Sequence, residues 1–85
     1  MWEATRTAHA KLDKESSVKI PELYDEVRSR FPSLTLKQFH DALLRWKESD
    51  RVTLQLCGNR EAEKRAVEGI EGSKGLYFYV VMNWA

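Results

Sequence analysis

Leu34-Thr35-Leu36-Lys37-Gln38-Phe39 decides how this chain folds. Thr35 followed three positions later by Gln38 matches a capping box, in which each side chain satisfies a backbone N–H that the first helical turn leaves open. Leu34 before the cap and Phe39 at the fourth helical position form the matching hydrophobic staple. A helix therefore starts at Thr35. It runs with Phe39, Leu43 and Trp46 on its apolar face to about Ser49.

Upstream, Val18-Lys19-Ile20 is a short alternating segment, and Pro21 suits the first turn of a helix, where a missing N–H costs nothing. Ile20, Leu23, Tyr24, Val27 and Phe31 recur at helical spacing. Pro32 should end that helix, because the residue before a proline is pushed out of the α region. Only Pro32-Ser33-Leu34 then separates the two helices, which forces them into contact. Further upstream, Met1, Ala4, Ala8 and Leu12 make a thin stripe, predicting a first helix over about residues 2–12 with a loop at Asp13–Ser17.

Downstream, Arg51-Val52-Thr53-Leu54-Gln55-Leu56 alternates as a half-buried strand. Leu76 to Met82 is a second strand, rich in aromatic and β-branched residues. Leu76, Phe78, Val80 and Met82 are expected to face the helices, with Tyr77, Tyr79 and Val81 outward. The connection, about 57–75, is too long for a tight hairpin. It is expected to be a mobile loop with a helical turn over 60–68, supported by Glu61 and Arg65 at i,i+4.

The order from Val18 to Met82 resembles a winged helix-turn-helix domain. Residues 18–56 carry the likeness most specifically, and residues 43–52 resemble the family's way of closing the third helix before an outgoing strand. That ending commonly has Gly where this chain has Asp50, a residue that tolerates a left-handed cap less well than Gly but better than most. The resemblance implies one α+β domain over 1–85: three helices, a short strand before the second, and a C-terminal two-stranded wing. It also implies a binding mode for double-stranded DNA, with the third helix in the major groove and the wing on the flanking backbone or minor groove. On that basis Lys37, Gln38, His40, Asp41 and Arg45 are the expected recognition residues, and Arg60, Lys64, Arg65 and Lys74 the wing contacts. A small transcriptional regulator or accessory factor is the role this suggests.

Charge tempers that expectation. The 85 residues hold 14 Lys and Arg against 13 Asp and Glu, a formal net charge of +1. A grossly basic or acidic binder is excluded. Segment 35–50 carries three bases and three acids, and so does 60–68. The alternative is a protein-interaction or dimerisation module that keeps the fold without DNA binding. Tyr77, Tyr79, Val81 and Trp84 are then the expected interface, since Tyr and Trp are enriched in such surfaces. Cover by the chain's own aromatic ends, Trp2 and Trp84, is the competing explanation.

Chemistry finds little footing. His9, His40 and Cys57 have no metal-ligand spacing, and the glycines at 69, 72 and 75 precede a strand and do not match a phosphate-binding loop. No nucleophile, base and orienting group are evident. Neither an enzyme activity nor a metal or cofactor is expected. One cysteine permits no internal disulfide, and no stretch approaches the ~18 apolar residues of a membrane span. A cytoplasmic protein is the expectation. The hydrophobic fraction of 42% is enough for the modest core that a chain of this size builds.

Overall fold

The computed structural model describes residues 1–12 and 17–83. Three helices pack on a small antiparallel sheet: α1 (Trp2–Leu12), β1 (Val18–Lys19), α2 (Ile20–Arg28), α3 (Leu36–Glu48), β2 (Val52–Leu56), β3 (Ile70–Gly72) and β4 (Gly75–Met82). Short 3₁₀ turns at Arg60–Ala62 and Ala66–Glu68 interrupt the connection before β3. The loop expected over Asp13–Ser17 falls, apart from Ser17, outside the described residues, as does Trp84.

The start of α3 follows from its sequence. The Thr35 hydroxyl accepts from the Gln38 N–H at 3.1 Å, and the Gln38 carboxamide accepts from the Thr35 N–H at 3.0 Å. Phe39 and Leu43 are fully buried, and Leu34 packs against the same core. The end of α2 departs from expectation. The helix stops at Arg28, and the N–H groups of Arg30 and Phe31 turn back to the Val27 carbonyl. Phe31 is thereby rotated off the apolar face and is 41% exposed. The turn between α2 and α3 is longer than Pro32–Leu34, and the Tyr24 hydroxyl braces it by donating to the Leu34 carbonyl at 2.8 Å.

At its other end, α3 closes on Asp50 with φ of +60°. Arg51 N–H then bonds the Trp46 carbonyl at 2.8 Å, and the chain leaves as β2. Trp46 stacks edge-on to Trp2, with ring centroids 4.9 Å apart, which docks α1 against α3. His9 of α1 is 1% exposed, and its Nε2–H donates to the Val80 carbonyl at 2.8 Å.

In the sheet β4 lies between β1 and β2. Tyr77 of β4 pairs with both Leu56 of β2 and Ile70 of β3, so β3 occupies the edge opposite β2. The chain between them must therefore cross β4. Where it crosses, the ladder is irregular. Gln55 pairs with Tyr79 but Leu56 with Tyr77, leaving Phe78 as an extra residue in β4, a β-bulge.

The bulge corrects the expected facing of the last strand. Beyond it, Val80 and Met82 join the core beneath the helices. Before it, Tyr77 is the residue that packs on that core, with the Lys47 ammonium of α3 5.7 Å from its ring. Leu76 and Phe78 are buried, but outside that cluster. They lie against the crossing segment: a Cβ on Gly69 would stand 3.0 Å from Leu76 Cδ1 and 3.1 Å from Phe78 Cδ1. One alternating pattern of burial thus has two separate causes, the helices at one end and the crossing segment at the other.

Candidate nucleic-acid interface

The cap and the buried Phe39 and Leu43 fix the rotation of α3. Positions 37, 41, 44, 45 and 48 share about 100° of helix circumference, opposite the core-facing residues. Lys37, Asp41, Leu44, Arg45 and Glu48 are all exposed. This is the face expected to meet DNA.

Within it, Lys37 pairs with Asp41 one turn on, at 3.1 Å. Arg45 has no ion-pair partner among the described residues. Gln38 lies to one side with its carboxamide engaged in the cap. His40 lies to the other side, half buried, and its Nε2–H donates to the Glu68 carbonyl at 2.7 Å. His40 therefore ties α3 to the crossing segment, a task for which its sequence neighbours carry no signal.

The expected wing cations divide. Arg60 pairs with Glu71 of β3. Arg65 is held by two carboxylates, Asp25 of α2 at 2.6 and 3.1 Å and Glu68 at 2.5 and 2.8 Å. Those hydrogen bonds, first to Glu68 and then to Asp25, raise the guanidinium's pKa further, and the same contact holds the Asp25 carboxyl below its usual range. The i,i+4 bond expected from Glu61 to Arg65 is not the one formed. Glu68 at i+3 and Asp25, distant in sequence, take its place. Lys64 lines an open cleft of about 290 Å³ with Lys19, Pro21, Glu22 and Phe78. Lys74 stands exposed in the turn between β3 and β4. Neither lysine has an ion-pair partner among the described residues.

These pairs change the character of 57–69. In place of a mobile loop there is a strap, fixed by Arg65 to α2, by His40 to α3 and by Glu63 to Lys19 of β1 at 2.9 Å. The Glu63 hydrogen bond raises the Lys19 pKa. Burial raises that of Tyr79, and the negative charge of Glu63 adds to it. Of the residues expected at a protein interface, Tyr79 and Val81 are half buried on the far side of β4, and Tyr77 packs on the core. Trp2, the other candidate cover, is occupied with Trp46 and with the Arg51 guanidinium 5.2 Å from its ring.

Asp25, Glu63, Glu68 and Lys19 had no part in the expected site. The partners of Asp25, Glu63 and Lys19 are distant in sequence, so no local spacing pointed to them, whereas Glu68 stands at i+3 from Arg65, a helical spacing that could have suggested it. Among the described residues, no group of three or more His, Cys, Asp or Glu is placed to hold a metal. None of the described helices is long and apolar enough to cross a membrane. Comparison with family models, curated proteins and solved structures finds no match to this chain.

Proposed function

We propose that this chain is a winged-helix module that binds double-stranded DNA through α3 and the turn between β3 and β4. The observation that carries this is the placement of α3. Its core-facing side is sunk into the domain, its opposite face stands clear, and the strands β2 and β4 that follow it complete a sheet in the order β1–β4–β2. An α-helix so presented fits the major groove. Of the expected contact residues, Arg45, Lys64 and Lys74 have no ion-pair partner among the described residues and are available for phosphate. Lys37 is available at small cost, since exposed pairs of its kind contribute about 0.3–0.5 kcal/mol. Gln38 and Arg65 are removed from the expected contact set by their internal bonds, whereas Arg60, in an exposed pair with Glu71 of the same kind, is available at a similarly small cost.

The test is fluorescence anisotropy with a mixed-sequence duplex at low and rising salt. Binding should weaken along a log–log slope of about 0.9 per phosphate neutralised. Arg45→Ala and Lys74→Ala should each weaken it. Absence of binding at low salt would reject the proposal.

A specific observation favours a second reading, a protein-interaction module. Leu44 on α3 is 38% exposed, Leu56 at the end of β2 is 44% exposed, and Val67, next to the Glu68 that His40 holds, is 90% exposed. Exposed apolar side chains of this kind contribute nothing to phosphate binding and suit a protein partner.

A further inference from the structure

We infer that the exposed face of α3 is self-complementary and pairs antiparallel with the same helix of a second copy of this chain. Along that face the order is Lys37, Asp41, Leu44, Arg45, Glu48, a basic and an acidic residue before the leucine and a basic and an acidic residue after it. A two-fold axis passing between the two helices at the level of residue 43 sets Lys37 against the Glu48 of the second copy, and Asp41 against its Arg45. By symmetry each pair occurs twice. Leu44 meets the other Leu44 close to the axis. Every charge on the face then faces its opposite, and the one exposed apolar side chain of the face is covered.

No other register does this. A parallel pairing in register sets Lys37 on Lys37 and Asp41 on Asp41, and like charges in contact oppose association. A second copy is thus selected over an arbitrary partner by the charge order itself. An isologous contact of this kind closes as a dimer and does not grow into a filament. Asp41 is already bonded to Lys37 within the helix and, in the dimer, is shared between that lysine and the incoming Arg45. A 13-residue helix is about 20 Å long, so the paired area is small and the association weak, with a Kd of about 0.1–1 mM.

The inference does not rest on DNA binding. It bears on it, because the same face cannot pair with a second copy and lie in a groove at once.

The experiment is sedimentation of the full chain at up to ~1 mM without DNA, for wild type, Asp41→Lys, Arg45→Glu and an equal mixture of the two variants. Each variant alone sets like charges together and should associate at least about tenfold more weakly than wild type. The mixture restores both opposite pairs between unlike chains and should recover most of the wild-type association. A strictly monomeric wild type, or variants that associate as wild type does, would overturn the inference. So would a mixture that stays as weak as its components. Lys37→Glu with Glu48→Lys is an independent second set, should either central variant fail to fold. Both sets are read without DNA, so a failure of DNA binding leaves the outcome intact.

Discussion

The Arg65 guanidinium reaches both carboxylate oxygens of Asp25, at 2.6 and 3.1 Å, across a separation of 40 residues. It joins the crossing segment to α2. Because the Arg65 side chain is 41% exposed and that of Asp25 54%, solvent screens the pair, and its contribution to global stability is small. Its contribution to holding the strap in place is local. Asp25→Asn is expected to leave the denaturation midpoint nearly unchanged while raising amide hydrogen exchange over 60–69. The Asp25 pKa is lowered in the folded state, so its stabilisation is present above the ordinary carboxylate range, about pH 4, and is lost as pH falls through the depressed value. Exchange in the strap should therefore rise in acid before the helices melt, and less so in the Asn variant.

Thr35→Ala removes the acceptor for the Gln38 N–H at the start of α3. A loss of about 0.5–2 kcal/mol is expected from urea unfolding. Thr35→Ser keeps the hydroxyl and should lose much less.

Gly69 and Gly58 should respond differently to the same change. A Cβ at Gly69 would lie 2.6 Å from the Tyr77 carbonyl oxygen, a backbone atom that cannot swing aside, whereas nothing lies within 4 Å of one at Gly58. Gly69→Ala is expected to destabilise by about 1–3 kcal/mol. Gly58→Ala should be neutral or stabilising by up to about 1 kcal/mol. Thermal melts of the two variants check the contrast.

Asp50 holds φ of +60° behind α3, a region an L side chain enters at a cost. Asp50→Gly relieves that cost and adds freedom to the unfolded chain, so a modest net gain of under about 1 kcal/mol is expected in urea unfolding. A clear loss would mean that the Asp50 side chain contributes more than the strain removes.

Lys19 and Tyr79 flank Glu63, and both pKa values are raised in the fold. Groups that keep their protons longer when folded contribute stability that is present below their unfolded values and lost as pH rises through the folded ones. Stability should fall as pH climbs past about 10. Tyr79→Phe should shrink that fall, measured as the difference in urea midpoint between pH 9 and pH 11.

Several of these features were legible before any tertiary contact was known, because they depend on neighbours along the chain. Thr35 and Gln38 are one helical turn apart, and their reciprocal bonds follow from that spacing. The alternation of Val52 and Leu54, and the strain at Asp50, are equally local; Leu56, expected on the same buried side, lies past the bulge and is exposed. The end of α2 was not legible: the helix closes at Ser29, and the chain turns back before Pro32 comes into play.

What the sequence by itself determined is the three helices, the strands β1, β2 and β4, and the face that α3 turns to the core, since a helix or strand is specified by residues within a turn or a pleat of each other; β3, inside the segment expected to be a loop, makes the expected two-stranded wing three-stranded and is fixed only by its pairing with β4. Only the tertiary structure decided which charges remain free. Arg65 sits four residues from Glu61 yet bonds Glu68, three residues on, and Asp25, which only the packing of the strap against α2 brings within reach. Tyr77 likewise shares a predicted face with Tyr79 until the extra residue Phe78 turns it toward α3. Charges counted along a chain cancel or add without regard to distance, whereas in the fold an ion pair forms only where two groups come within about 4 Å.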